Sequence, residues 1–417
     1  MTVNTIPRAE AHRVERFLAD LGDIGRDPRG GWSRLAFSAP EREAHSLFAR
    51  TMAELGLAVR TDAIGNTIAE LPGREPGPAL VTGSHLDTVP QGGNFDGAAG
   101  VAAAVEVAHL LAETSGLRRP FQAVAFAAEE GARFGAPCIG SRVATGAFTA
   151  ETLRGLLDTG GRSVTECAKE VGLRPDDVAA GVWQPGSIAA FLELHIEQGR
   201  VLEERGRPLG IVHSIGGSTR VELTFSGRAD HSGATPMWLR QDALAGAGEF
   251  VVEVERRAAL HPTTVATVGR LEVMPGSLTT VPGTVVLGLD VRDVDSERQR
   301  ELTESLLDEA ARIAARRQLQ LGAELLSDQS PVVLHKTVQD QLAFAAGRLG
   351  IRFAVLASGA SHDAAHIVKL APTGMVFVPS REGVSHAPDE WSDPEDIARG
   401  AEVVGHAMKA LDEQDMV

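Results

Sequence analysis

Tyrosine is missing from this 417-residue chain, and cysteine nearly so, with two residues. Two cysteines cannot build a disulfide framework or a cysteine-rich zinc module. Any metal ion here must therefore be held by histidine and carboxylate. Positive charge is also scarce: 40 Lys and Arg stand against 56 Asp and Glu, a formal charge of −16. Nucleic-acid binding needs a basic face for phosphates, and the balance argues against it. Long apolar runs are lacking too. The most apolar stretch, 101–111, is broken by Glu106 and His109 and is too short to span a bilayer. Residues 1–20 mix Arg, Glu and Asp without the apolar centre of a signal peptide. The expected setting is soluble and cytoplasmic, with Cys138 and Cys167 as reduced thiols. No G-x-S-x-G elbow and no G-K-[ST] step occurs, which removes serine-hydrolase and phosphate-loop readings.

What is present is 43% hydrophobic residues and 13 His, enough for sizeable cores in two or three domains. Residues 6–21 carry Val14, Phe17, Leu18 and Leu21 on one helical face. Ser38-Ala39-Pro40-Glu41 has the form of a capping box, with Pro in the first turn of the helix it opens. Strand-like runs at 58–61, 67–71 and 79–82 precede a helix over 97–112. The apolar run 121–127 fits a strand buried on both faces. Further strands are expected at 189–195 and 373–378. This alternation predicts an α/β domain with a mostly parallel sheet. The middle differs, reading strand 220–225, helix 239–259, strands 264–273 and 284–291, helix 296–317, strand 319–326. That β-α-β-β-α-β order is ferredoxin-like and fills about 110 residues, one domain's worth. Residues 215–328 are therefore predicted to be an inserted α+β domain. Residues 1–214 and 329–417 would form one discontinuous α/β domain.

Five groups of His and acid fall at predicted strand ends, where open α/β sheets bind ligands. His85 follows the first core strand, with Asp87 two residues on, able to fix its tautomer. Asp96 lies in the glycine-rich turn Gly92-Gly93-Asn94-Phe95-Asp96-Gly97, either facing an ion or capping the next helix. Glu129 and Glu130 follow the 121–127 strand; they form a solvated acidic loop, or else need a cation, with one as ligand and one as base. Alternation puts Glu193, His195 and Glu197 on one strand face. His386 lies in a loop after the last strand. Together they suit two divalent ions sharing a carboxylate, about 3.5–4 Å apart. Without thiolates, Zn²⁺, Mn²⁺, Co²⁺ and Ni²⁺ all fit.

Over nearly its whole length the chain resembles the N-carbamoyl-L-amino-acid amidohydrolase and allantoate amidohydrolase family. That family belongs to a clan of dinuclear metallopeptidases with aminoacylases and glutamate carboxypeptidases. The resemblance is carried by Gly83-Ser84-His85-Leu86-Asp87-Thr88, Gly92-Gly93-Asn94-Phe95-Asp96-Gly97, Glu129-Glu130-Gly131-Ala132-Arg133-Phe134, Asp230-His231-Ser232-Gly233-Ala234-Thr235-Pro236-Met237 and Ser385-His386-Ala387-Pro388. Glu193-Leu194-His195-Ile196-Glu197-Gln198-Gly199 is specific to the carbamoylase branch, and Asp62-Ala63-Ile64-Gly65-Asn66 also fits. The resemblance implies a zinc-peptidase-like catalytic domain and an inserted dimerisation or lid domain. It implies two divalent ions per subunit, zinc first among them, one on His85 and His195, the other on Glu130 and His386, bridged by Asp96. Glu129 would be the general base and Asp87 would orient His85. His231 would reach across a homodimer to the partner's active site and hydrogen-bond the oxyanion. Arg292 would take a substrate carboxylate, and Gln198, Gly359 and Ala360 the head group.

Two positions depart from the family. Thr279 stands where a substrate-contacting Asn is common, and Ser361 where Gly is usual. A hydroxyl replaces an amide's donors and carbonyl at Thr279. His362, next to Ser361, is a pocket or a structural residue. The expected activity is hydrolysis of a linear amide C–N bond in an N-carbamoyl-L-amino acid or an allantoate-like ureido acid. The alternatives are an aminoacylase or dipeptidase-like hydrolase of N-acyl amino acids, and a non-catalytic binding protein on the same scaffold.

Overall fold

The structure, a computed structural model, describes residues 6–114 and 116–414. Residues 1–5, the start of the stretch read as unlike a signal peptide, lie outside them. In chain order the strands are β1 (Ala58–Thr61), β2 (Thr67–Leu71), β3 (Ala79–His85), β4 (Phe121–Phe126), β5 (Ile188–Ile196), β6 (Leu209–Ile215), β7 (Gly217–Ser226), β8 (Asp230–His231), β9 (Val265–Met274), β10 (Thr280–Val281), β11 (Thr284–Asp293), β12 (Gln320–Gln329), β13 (Val332–Val333), β14 (Phe353–Ser358) and β15 (Thr373–Val378). Backbone contacts divide the chain into two compact units. One runs to His213 and resumes at Leu334; the other is Ser214–Val333. The sequence sets these cuts after residues 214 and 328. Pairing of β13 with Ser214 and Ile215 carries the second unit on to Val333.

In the first unit the sheet order is β1-β2-β4-β3-β5-β15-β6, with β14 also on β6. The four central strands are parallel, while the pairs β1–β2, β2–β4 and β15–β6 are antiparallel. Strands β3, β5 and β15 are buried along their whole length, as continuous apolar strands between two covered faces must be. One covering layer holds the helices Ala11–Gly22, Ala98–Ala112, Lys336–Arg348 and Pro394–Asp412. Helix Ala98–Ala112 buries 13 of its 15 residues, which explains why its sequence is apolar all round. Glu106, the charge that interrupts it, is answered by Arg13, whose Nε and Nη2 donate at 2.7 and 2.6 Å. A bidentate pair of this kind offsets the burial of the charge. Among the described residues no helix is long and apolar enough to cross a membrane.

The second unit has four antiparallel strands in the order β12-β7-β11-β9. Numbered within the unit that is 4-1-3-2, the ferredoxin-like arrangement read from the sequence. Alternate residues of β11 are buried, packed with Phe250 and Val254 of helix Ala243–Ala258 and Leu306 and Ile313 of helix Ser296–Arg316. The first of these helices starts four residues later than expected, because Asp242 caps it by accepting from the N–H groups of Leu244 and Ala245.

Candidate active site

Five loops or strand ends meet at the carboxyl edge of the parallel strands, the usual ligand edge of such a sheet. His85 is the last residue of β3, and His195 lies one residue before the end of β5. Glu129 and Glu130 follow β4, Asp96 sits between β3 and helix Ala98–Ala112, and His386 comes eight residues after β15. The five predicted ligands come together. His85, Asp96 and His195 form one group of potential ligand atoms within 4.8 Å of one another, and Asp96, Glu130 and His386 form another.

Asp96 divides between the two. Its Oδ1 lies 3.7 Å from His85 Nε2 and 3.2 Å from His195 Nε2. Its Oδ2 lies 3.1 Å from His386 Nε2, which is itself 3.4 Å from Glu130 Oε2. The alternative in which Asp96 caps the helix does not hold: Gly97 is the cap residue, and Asp96 gives the helix no side-chain bond. Gly97 is required there, since a Cβ would stand 2.4 Å from the His85 ring.

The second nitrogen of each strand histidine is occupied. His195 Nδ1 is 2.9 Å from the carbonyl of Ile196, and His85 Nδ1 is 3.2 Å from the carbonyl of Asp87. A carbonyl can only accept, so Nδ1 carries a proton in each ring and Nε2 is the nitrogen left to face Asp96. Asp87 itself spends its carboxylate on the N–H groups of Glu129 and Glu130, at 2.9 and 3.0 Å. It thereby holds the acidic loop as well as His85.

Burial raises Glu130 well above the usual carboxylate range, and the Asp96 charge adds to it. Burial also raises Glu129. Burial works against charge on His85, but Asp87, Glu129 and Asp96 hold its pKa well above the ordinary value. Three carboxylates and three imidazoles in one small space call for cations. Nitrogen and oxygen donors in two groups that share a carboxylate fit two divalent ions. His386, Gln198 and Ala128 all have left-handed φ values of 56–58°, a strained state for non-glycine residues that collects at functional sites.

Other predicted residues fall as follows. Gln198 Nε2 donates to Asp96 Oδ2 at 2.7 Å, while its buried Oε1 has no partner among the described residues. Ala360 is held by Ser358, whose Oγ accepts its N–H, and exposed Gly359 lies between them. His362 is 1% exposed. It bonds Ser358 Oγ at 2.7 Å and sets its ring 4.4 Å from that of His195, a supporting position. Glu193 is committed to Ser84 Oγ and the N–H of Ala364. Glu197 does not join them: β5 ends at Ile196, and Glu197 accepts from the N–H groups of Val201 and Leu202 at a helix start. His231, Thr279 and Arg292 belong to the second unit. There His231 on β8 pairs with Thr280 of β10, and the carbonyl of Thr279 accepts the N–H of Ser232 at 3.0 Å. His231 Nδ1 accepts from the N–H groups of Gly233 and Ala234 at 3.1 Å each, so the Nε2–H faces outward as a donor. Arg292 Nη2 donates to Asp290 at 2.9 Å.

Several supporting groups escape a sequence reading. Cys138 donates its thiol to Glu129 Oε1 at 3.0 Å. Fully buried Arg34 donates to the carbonyl of Leu86 and to Asn94, pinning two site loops from below. Asn66, noted only as a family token, accepts the N–H of Ala127 just ahead of Glu129. The one signal in the sequence is membership of a family motif, which holds for Asn66 and for Ser385 beside His386.

Comparison with known proteins gives the family. The model of peptidase family M20/M25/M40 matches residues 81–410. The N-carbamoyl-L-amino acid amidohydrolase of Geobacillus stearothermophilus is 43% identical over 404 residues, covering 96% of this chain and 98% of that one. The allantoate amidohydrolase of Escherichia coli (strain K12) is 34% identical, covering 94% of this chain and 95% of that one. A crystal structure of a hydantoinase/carbamoylase-family amidase from Burkholderia multivorans superposes with a TM-score of 0.91 at 35% identity, covering 98% and 99% of the two chains. On that match and those near-complete alignments, this chain belongs to peptidase family M20/M25/M40, alongside its N-carbamoyl-L-amino-acid and allantoate amidohydrolases.

Proposed function

We propose that this chain hydrolyses a linear amide C–N bond in an N-carbamoyl-L-amino acid or an allantoate-like ureido acid, yielding amine, CO₂ and ammonia. The observation that carries the reading is Asp96, whose two oxygens face separate ligand groups. His85 and His195 would hold one divalent ion, Glu130 and His386 the other, with Asp96 between them. Zinc is the first choice of metal, with manganese, cobalt and nickel also suited to the donors. When bound, the ions supply Lewis-acid polarisation of the scissile carbonyl and lower the pKa of water. Glu129 takes a proton from the attacking water and hands it to the leaving nitrogen. Its raised pKa and the Cys138 hydrogen bond suit that two-way task. The Nε2–H of the partner subunit's His231 meets the oxygen that becomes negative as the carbonyl is attacked. Arg292 takes the substrate carboxylate as a fork. Gln198 Oε1, buried without a partner among the described residues, accepts an N–H of the head group, with Gly359 and Ala360 alongside.

A homodimer is part of this proposal. Strand β9 is a sheet edge with Val265, Leu271 and Met274 exposed, and Val252 is exposed on helix Ala243–Ala258. Such an apolar edge suits a second copy. So is a cytoplasmic location, which the free, buried Cys138 and Cys167 suit. Thr279 supports a second reading, an aminoacylase or dipeptidase-like enzyme, because its hydroxyl lies 3.4 Å from Ser277 and offers less to a carbamoyl group than an amide would. A panel of N-carbamoyl amino acids, allantoate, N-acetyl amino acids and dipeptides, assayed for ammonia and for free amine, separates the two. Ammonia from the ureido substrates is expected. Turnover confined to the N-acetyl or dipeptide arms overturns the first reading in favour of the second.

A further inference from the structure

Glu390 has no part in the chemistry above, yet it touches both loops that carry Asp96 and His386. It is 3% exposed. Its Oε1 accepts the backbone N–H groups of Phe95 and Asp96, each at 2.9 Å. Its Oε2 accepts the hydroxyl of Ser385 at 2.9 Å and the N–H of His386 at 3.3 Å. One buried carboxylate thus takes four donors from two loops almost three hundred residues apart. Room is left for it: a Cβ on Gly93 would stand 2.1 Å from Oε1. Beside it the Ser385 hydroxyl also lies 3.1 Å from Asp96 Oδ2, the oxygen that faces His386. Local structure does not account for Glu390, since the following helix is capped by Asp393 instead.

The two halves of the site differ in how they are held. His85 and His195 belong to strands buried in the sheet. Asp96 and His386 stand on loops, and His386 is held at a left-handed φ of 56°. Loop ligands must be ordered either during folding or when the ion binds, and the second route weakens binding by the entropy lost. We propose that Glu390 is a positioning residue that locks the Asp96 loop to the His386 loop and thereby sets the affinity of the Asp96–Glu130–His386 ion. The inference rests on the reading of those three side chains as ligands.

The test titrates the full-length protein with buffered free Zn²⁺, counts bound ions by elemental analysis and follows thermal unfolding in parallel. Wild type should bind two ions. Glu390→Gln keeps the shape but sets an amide N–H₂ against donors; it should hold one ion as before and the other about 10–100-fold more weakly. Turnover at saturating metal should then recover toward wild type. Glu390→Asp keeps the charge but shortens its reach and should weaken the same ion, which decides the matter if Glu390→Gln does not fold. Unchanged affinities in the variants overturn the proposal, as does equal weakening of both ions, which marks general loosening. A wild-type protein that binds no divalent ion overturns the ligand reading itself, and the proposal with it.

Discussion

Glu129 and Glu130 are neighbours in the chain but turn to different partners. Glu130 Oε2 faces His386, while Glu129 takes the Cys138 thiol on one oxygen and sets the other 3.8 Å from His85. If Glu129 moves protons and does not hold metal, Glu129→Gln should keep full metal content while kcat falls by about 10²–10⁴. Near-normal kcat in a steady-state assay would remove it from proton transfer. Gly97 predicts a different loss. At a φ of +65°, with the His85 ring 2.4 Å from a built Cβ, Gly97→Ala should cost about 1–3 kcal/mol of stability. His85 must then shift, so metal content should fall alongside the urea midpoint; two unchanged readings would mean that the loop relaxes freely. At this scale the sequence shows which residue types can bind a metal. It does not show which oxygen of Asp96 meets which histidine, because that depends on contacts between distant segments.

Helix Ala39–Glu54 shows how an element can be read correctly and its role missed. Ser38 and Pro40 start it as the capping pattern predicts. The reciprocal half is absent: Glu41 sends one oxygen to the N–H of Phe37 at 2.6 Å and the other to the N–H of Ala128 at 3.0 Å. The helix is thereby tied to the residue before Glu129. Burial pushes the Glu41 carboxyl up to about 7, against the pull of Arg42. In the unfolded chain a glutamate titrates near 4.3. The folded state therefore binds more protons between these values, and stability from this group falls as pH rises through about 7. The slope reaches at most about 1.4 kcal/mol per pH unit. Unfolding midpoints measured between about pH 5 and pH 8 should show a shallower decline for Glu41→Gln than for wild type. Parallel curves would place the titration elsewhere.

For the whole molecule, the proposed reading turns on metal and assembly. Chelation should abolish turnover and lower Tm, and restoring a divalent ion should reverse both. A hundredfold excess over Kd corresponds to about 2.7 kcal/mol of stabilisation. Activity that survives complete removal of metal, verified by elemental analysis, would contradict the two-ion reading. If the partner subunit's His231 completes each site, mixing Glu129→Gln subunits with His231→Ala subunits should generate activity above either parent after exchange. Each hybrid then holds one site with both groups intact. No gain, with hybrids demonstrated by differential tagging, would confine His231 to its own subunit or to structure.

Fold class and the metal-capable residue types at the strand ends were legible in the sequence, because both rest on short-range grammar. Periodicity marks strands and helices, and the carboxyl ends of β3, β4 and β5 carry their His and Glu within a few residues. Glu197 shows where that grammar misleads: strict alternation put it with His195, but the strand ends at Ile196. Only the tertiary structure decided what surrounds these residues. Arg34 reaches Asn94 across 60 positions and Glu390 reaches Phe95 across 295, and no local pattern encodes a partner so far away. A buried carboxylate or guanidinium is stable only when it finds several hydrogen-bond partners at once. Those partners exist only after the distant loops have been brought to one edge of the sheet.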